Sequence, residues 1–340
     1  MVFRRRQPPA IERVAAFWAW WATNAARLDA TLAFGNHQTV VAEVIMRVRE
    51  LHPRLELEIG SGVEARRSLV VSSGGDPETR SLTHRWLSGA PTPSAAWEYH
   101  GSKPADPSAL HGDLEVAGRT VRLSELRFGV HADEEVRALD VVGVHPAFGA
   151  IGTDSARVVV TQSLRWLLGE DAVSRWVRTV GVSSSPRPEL FEASALAATV
   201  SDRVVTWSEP SWAIAQAHDR RGRRAVATVQ HPFGIQDWAL CDLHGAVTWR
   251  YPETTSDGLP TAAALERCRR IEEQLEAVLG DEATIPVSLK LAGVLTVHLY
   301  CDPESTVRAD VDRWSRSVPG VSVKWTNDPC RLAIADFYPR

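Results

Sequence analysis

The chain has 340 residues with 38 basic and 42 acidic side chains, a formal net charge of −4 at pH 7. Its 44% hydrophobic and 24% charged content is that of an ordinary folded domain protein and disfavours intrinsic disorder. So small a net charge produces no global field that would attract nucleic acid or an anionic membrane, and the length allows about two domains of roughly 100–200 residues each.

Cysteine usage and the first residues predict a cytoplasmic protein. Arg4-Arg5-Arg6 precedes an apolar stretch, as in a signal peptide, but Pro8, Pro9 and Glu12 interrupt the pattern. No run reaches the ~18 apolar residues that a membrane span requires. The cysteines lie far apart, which predicts free buried thiols and neither a disulfide framework nor a zinc site; they are Cys241, Cys268, Cys301 and Cys330. No membrane contact, cofactor or metal is therefore expected.

The densest aromatic cluster is FWAWW at residues 17–21. On a helix over residues 11–32, Phe17 and Trp21 share one face and Trp18 flanks it. An interfacial membrane helix would carry a basic polar face, and a base-stacking platform would interleave aromatic with basic residues. This segment has a mixed polar face and alanines between its rings. We expect the cluster to pack into a core, with a protein contact as the alternative.

The rest of the first half alternates helices and strands. Pro53 ends one predicted helix, and Asp76-Pro77 is typical of the capped start of another. The predicted elements are a helix at 38–51, strands at 55–59 and 68–72, a helix from Asp76 to Leu87, a strand at 95–99, an antiparallel meander between 114 and 144, helices at 154–168 and through Trp176, and a strand at 178–182.

The second half follows a predicted linker, SSSPRPE at residues 183–189. Its predicted elements are a helix at 190–200, a hairpin of strands 212–218 and 225–231, strands at 238–242 and 246–251, a helix at 261–279, strands at 284–291 and 294–300, a helix from Asp302 to Ser317, and a strand at 321–325.

The order of these elements predicts an internal repeat. Both halves contain helix, strand, strand, helix and strand, and Asp-Pro-Glu opens the second helix of each, at Asp76 and at Asp302. In the second half the strand at 246–251 completes a βαββαβ order, which is typical of a ferredoxin-like unit. The sequence therefore predicts an α+β fold with two related ferredoxin-like sandwich modules, antiparallel sheets and additional hairpins. The predicted domains are residues 1–183 and 184–340.

From about Arg203 to Phe337 the chain resembles the bacterial family known as "domain of unknown function 695". The resemblance rests on DGLPTAAALERCRRIEEQLEAVL at 257–279, TVHLY at 296–300, and Asp-Pro at 328–329 before Phe337. The first half resembles the part that actinobacterial members carry before this domain. The family implies no established activity. Some members adjoin a domain similar to the B-type regulator of ribonuclease E, which implies a regulatory role through protein contacts.

One concentrated charge cluster is a candidate contact site. The turn between the hairpin strands carries Arg220, Arg221, Arg223 and Arg224 around a glycine. Such a cluster can bind phosphate or an acidic partner, or it can be a solvated hairpin tip. His218, His231 and His244 recur at an even spacing, but hairpin geometry need not bring them together.

No common catalytic motif is present. The sequence contains no glycine-rich phosphate loop, no Gly-x-Ser-x-Gly elbow and no His-Glu-x-x-His helix. No catalytic, cofactor-binding or metal-binding residue is predicted. The leading hypothesis is a cytosolic bacterial binding or regulatory module that acts through another protein. The alternatives are an enzyme with a site in an inter-domain groove and RNA binding through the arginine turn at 220–224.

Overall fold

The computed structural model describes residues 8–185, 190–234 and 236–338. Contacts divide the chain into two compact units: one holds the residues up to 133 together with 138–201, and the other holds 134–137 and the chain from 202 onward. The sequence places a domain boundary between residues 183 and 184, and that boundary stays a prediction. Part of the predicted linker, 186–189, lies outside the described residues.

The first unit begins with helices and a small mixed sheet. Strand β1 pairs antiparallel with β2, and β2 pairs parallel with β3. The elements are α1 (Ala10–Ala33), α2 (His37–Leu51), β1 (Glu56–Gly60), β2 (Arg67–Ser72), α3 (Pro77–Ser88) and β3 (Trp97–His100). Asp76 caps α3 by accepting a hydrogen bond from the Glu78 amide, as its sequence predicts.

The aromatic cluster of α1 fills the core between these helices and the sheet. The ring centroids of Trp18 and Trp86 lie 4.7 Å apart. The Trp18 indole N–H donates to the backbone oxygen of Trp86 at 2.7 Å, and that of Trp21 donates to the Tyr99 hydroxyl at 3.0 Å. Phe17, Trp18 and Trp21 are buried. The prediction that FWAWW packs into a core is confirmed.

Two further sheets complete the first unit. The elements are β4 (Asp113–Val116), β5 (Arg119–Arg122), β6 (Arg127–Asp133), β7 (Ala138–Val144), α4 (Phe148–Ile151), α5 (Thr153–Leu168), α6 (Glu170–Trp176) and β8 (Val177–Ser183). Strands β4 and β5 form a separate two-stranded sheet, whereas β6 pairs antiparallel with β7, and β7 parallel with β8. The predicted single meander is therefore wrong. A 3₁₀ turn, Leu123–Glu125, buries Leu123 and separates the two sheets, and the helices between β7 and β8 supply the crossover that a parallel pair needs.

The second unit contains one six-stranded antiparallel sheet in the order β14-β11-β13-β12-β10-β9. Its elements are the end of α7 (Ala193–Trp207), β9 (Ser211–His218), β10 (Arg224–His231), β11 (Leu243–Arg250), α8 (Ala262–Leu279), β12 (Ala283–Leu291), β13 (Val294–Cys301), α9 (Val307–Ser317) and β14 (Val321–Asn327). Residues 238–240 form a turn and residues 241–242 have no regular structure, so the predicted strand there is wrong. Helix α9 starts at Val307, because the Asp302 side chain binds the Glu304 amide in a preceding turn.

The predicted helix, strand, strand, helix, strand order is present in both units, but the sheets differ. In the second unit β11 lies between β13 and β14 and pairs antiparallel with each. In the first unit α1 stands where a first strand would precede α2, so β2 and β3 pair directly and in parallel. The fold class is α+β with antiparallel sheets, as predicted, although the sheets β1-β2-β3 and β6-β7-β8 of the first unit each contain one parallel pair. The ferredoxin-like form of the two modules stays a prediction.

Within the described ranges, no helix has both the length and the apolar character needed to cross a bilayer.

Candidate functional site

Strand β9 is the outer strand of the six-stranded sheet and is exposed along its whole length. Trp212 is 57% exposed and Ile214 is 71% exposed. Ile214 pairs with Thr228, which pairs with Ser288, and the Ser288 hydroxyl donates to Glu272 of α8. The exposed Trp212 and Ile214 side chains therefore lie on the helix-bearing face of the sheet.

The hairpin turn determines which backbone groups of β9 point outward. The Asp219 amide donates to the Arg223 carbonyl at 2.9 Å, so these two residues form a hydrogen-bonded pair. Antiparallel pairing alternates from that point, and the odd-numbered residues of β9 are bonded to β10. The outward N–H and C=O groups belong to Trp212, Ile214, Gln216 and His218. They form an open row along the sheet edge.

Strand β9 lacks the features that normally protect a sheet edge. Native edges are blunted by charged side chains, prolines, bulges or short length. The eight residues Ser211–His218 include no proline and no Asp, Glu, Lys or Arg. Their register with β10 is uninterrupted. By contrast, the opposite edge strand β14 carries Lys324. An unprotected edge of this kind favours pairing with another strand.

The arginine turn lies at one end of this edge. Its arginines differ in the contacts that their side chains make within the hairpin. Asp219 accepts hydrogen bonds from the amides of Arg221 and Arg223, and its carboxylate is 2.6 Å from the Arg223 guanidinium. Arg224 donates to Gln216 at 2.7 Å. The pKa of the Asp219 carboxyl is lowered, and the largest cause is its hydrogen bond with the Arg223 guanidinium.

Two of the four predicted contact residues, Arg223 and Arg224, thus make hydrogen bonds within the hairpin. Arg220 and Arg221 have exposed side chains at its tip, and Gly222 adopts the left-handed conformation that closes the turn. The candidate contact set 220, 221, 223 and 224 is therefore present as one turn. Of its members, Arg220 and Arg221 are the pair left to meet a partner.

Two histidines meet on the face of the six-stranded sheet opposite α8, where His244 is buried and His298 is half-buried. The ring nitrogens of His244 and His298 are 3.0 Å apart, so one ring donates to the other. Burial, together with the neighbouring His244, lowers the pKa of His298 to about 4. The contact gives each ring a hydrogen-bond partner within the protein. The evenly spaced histidines of the sequence do not come together. His244 contacts His298, whereas His218 is exposed and His231 packs against Tyr338.

Beside this pair, Asp328 organises the end of the chain. Its carboxylate accepts the Tyr300 hydroxyl at 2.7 Å and the amides of Leu332 and Ala333 at 2.8 and 2.9 Å. The Arg331 guanidinium carbon lies 4.1 Å from the centroid of the Tyr300 ring. Burial, then the hydrogen bond to Asp328, raises the pKa of Tyr300. Asp328 therefore binds the first two amides of the turn Leu332–Phe337 and joins that turn to Tyr300 of β13.

The first unit contains a second polar cluster, at a cleft of about 470 Å³. Three successive amides, those of Val63, Glu64 and Ala65, each donate to the Glu98 carboxylate at 2.9 Å. The His100 imidazole lies 3.1 Å from the same carboxylate. Burial raises the pKa of Glu98, but these hydrogen bonds outweigh it and lower the value to about 2. A carboxylate that orients an imidazole can serve acid–base chemistry. Three of the hydrogen bonds of Glu98, however, hold the loop at Val63, Glu64 and Ala65.

A larger cavity of about 590 Å³ lies beside the start of α7. Buried leucines line it, namely Leu110, Leu123, Leu126 and Leu167. Arg127 and Glu192 form an ion pair at 3.6 Å among its lining residues. The lining also includes Ser108, His111, Ser124 and Ser194.

Sequence reasoning identified the arginine turn and missed both polar clusters. Each cluster depends on contacts between residues distant in sequence, namely Glu98 with the 63–65 amides, His298 with His244, and Asp328 with Tyr300. The hairpin itself was predicted, and the lack of charge in Ser211–His218 is the signal that could have identified the open edge. In the part of the chain that the structure describes, no three His, Cys, Asp or Glu side chains form a group that could hold a metal ion.

Comparison with known proteins returns no match, whether to family models, to curated proteins or to solved structures. The resemblance to the bacterial family of unknown function therefore stays a prediction.

Proposed function

We propose that the chain is a protein-binding module whose contact is the open edge of β9. The observation that carries this proposal is an eight-residue edge strand, exposed throughout and without charge, proline or bulge. Main-chain hydrogen bonds along such an edge supply affinity, and alternate side chains supply specificity. Here the alternate side chains on the helix-bearing face begin with Trp212 and Ile214.

The arginine turn adds a directional element to this contact. Arg220 and Arg221 lie just beyond the end of β9, so a strand paired with β9 places one of its ends beside them. An acidic residue at that end gains charge attraction, which steers encounter and fixes register more than it adds affinity. The regulatory role, the cytoplasmic location and the bacterial source remain part of this proposal. The alternatives of RNA binding through the turn and of an enzyme stay predictions.

A photo-crosslinker placed on the edge tests the proposal. We expect the protein carrying Trp212→p-benzoylphenylalanine to crosslink a polypeptide in a lysate of the source cells. Adding Ile214→Lys should abolish that crosslink, because a lysine on the edge blocks strand pairing. The matched control is Val158→Lys, since Val158 is a similarly exposed aliphatic residue on α5 at 68%. Crosslinks that survive Ile214→Lys, or that are equally lost with Val158→Lys, contradict the proposal.

A further inference from the structure

We infer that the strand that pairs with β9 is β9 of a second copy of this chain, related by a two-fold axis. The inference rests on the proposed function, because it names the partner of the same edge. An isologous contact requires a surface that is complementary to itself. The register, the side chains and the flanking charges of β9 each satisfy that requirement.

The register follows from the outward backbone groups. In an antiparallel pair, hydrogen-bonded residues face one another, so outward residues must meet outward residues. One two-fold register uses all four of them in both copies. It places Trp212 opposite His218 of the second copy, and Ile214 opposite Gln216 of the second copy. The axis then passes between the two Ala215 residues. Shifting the register by one pair toward the start of the strand would set His218 against Pro210, which has no amide hydrogen to donate.

The side chains fit this register on both faces. On the helix-bearing face, Trp212 meets an imidazole, and Ile214 lies diagonal to its own counterpart, within reach of an aliphatic contact. On the other face, Ala213, Ala215 and Ala217 meet the same small residues of the second copy. No charged side chain of β9 is brought against a like charge, because the strand has none.

The flanking charges complement one another in the same arrangement. Glu209 lies three residues before Trp212, and Arg221 lies three residues after His218. The two-fold pairing therefore brings Glu209 of each copy to the arginine turn of the other. Both side chains are exposed, and two such ion pairs form per dimer. A parallel pairing would instead bring the two arginine turns together.

The test is a charge exchange across the interface. Wild type should sediment as a concentration-dependent dimer, and Ile214→Lys should raise the dissociation constant at least tenfold, whereas Val158→Lys should leave it unchanged. Glu209→Arg alone, or Arg221→Glu alone, puts two like-charge pairs in a homodimer and should weaken it. A mixture of the two variants should form a heterodimer, because both of its ion pairs are then complementary.

Three outcomes overturn the inference. They are a wild type that stays monomeric at its highest soluble concentration, a dimer that Ile214→Lys leaves intact, and a mixture of the charge variants that associates no better than either alone. Circular dichroism of each variant checks that the chain is folded. A monomeric wild type that still crosslinks a different protein through Trp212 contradicts the second copy as partner but leaves the proposed function standing. A wild type that is monomeric and crosslinks no protein through Trp212 contradicts both the second copy as partner and the proposed function.

Discussion

Single buried carboxylates organise the loops of both units. Glu98 in the first unit accepts three successive backbone amides, and Asp328 in the second accepts two amides and the Tyr300 hydroxyl. Hydrogen bonds to a charged group contribute roughly 1.5–3 kcal/mol each, more than neutral ones. Both carboxylates therefore act as clamps on their loops, and for Glu98 the hydrogen bonds that form the clamp also lower its pKa.

The stability contributed by Glu98 should be lost in acid. Its folded pKa of about 2 lies below its ordinary value of 4.5. The contribution is fully present above the unfolded pKa and declines as the pH falls from about 4.5 toward 2. We expect Glu98→Gln to be less stable than wild type at pH 7, and the difference to shrink between pH 5 and pH 3. Denaturant unfolding at several pH values measures this difference.

Glu64→Gln is the matched control for this prediction. It makes the same chemical change at the adjacent, exposed loop position, where the side chain does not hold the loop. Its unfolding free energy should follow that of wild type at every pH. Parallel curves for Glu98→Gln and wild type down to pH 3 would refute the clamp.

At the scale of elements, close approach of a helix to a strand determines where glycine is required. Gly143 on β7 lies under α5, and a Cβ there would come 2.3 Å from a methyl group of Val160. Gly129 on the neighbouring strand β6 would place its Cβ 3.6 Å from Leu190 and 4.0 Å from Val142, which is ordinary contact. Both glycines lie within predicted strand segments, and they differ in how closely neighbouring side chains approach them.

Gly143→Ala should therefore destabilise the first unit, and Gly129→Ala should not. Forcing α5 away from the sheet to relieve the clash costs about 1–3 kcal/mol, the usual range for overpacking a core. Thermal and denaturant unfolding of the two variants measures the contrast. Equal stabilities of the two variants would show that α5 does not pack on β7 as described.

At the scale of the whole molecule, association through β9 should couple stability to protein concentration. A dimer that dissociates on unfolding has a midpoint that rises with concentration, by mass action. We expect the Tm of wild type to increase across a hundredfold range of concentration. The Tm of Ile214→Lys should stay constant across the same range. Scanning fluorimetry at matched concentrations distinguishes the two, and identical slopes for both proteins would count against the β9 contact.

Periodicity in the sequence determined the local elements and their order. The apolar spacing of α1 predicted that FWAWW would be buried, and two strand segments, 212–218 and 225–231, on either side of the arginine turn predicted the β9–β10 hairpin. These features follow from neighbours along the chain, because side-chain period and turn chemistry are local properties. The α+β class and the repeated helix, strand, strand, helix, strand order follow from the same signals.

Only the tertiary structure decided how strands pair and which surfaces stay open. The sequence of residues 67–72 and 97–100 does not indicate that β2 and β3 pair in parallel. The two strands pair directly because no strand equivalent to β11 lies between them. The contacts of Asp328 with Tyr300 and of Glu98 with the 63–65 amides likewise join residues far apart in sequence. The open edge of β9 has the same origin. An edge is a property of the sheet, because a strand is outermost only when no neighbour lies beyond it.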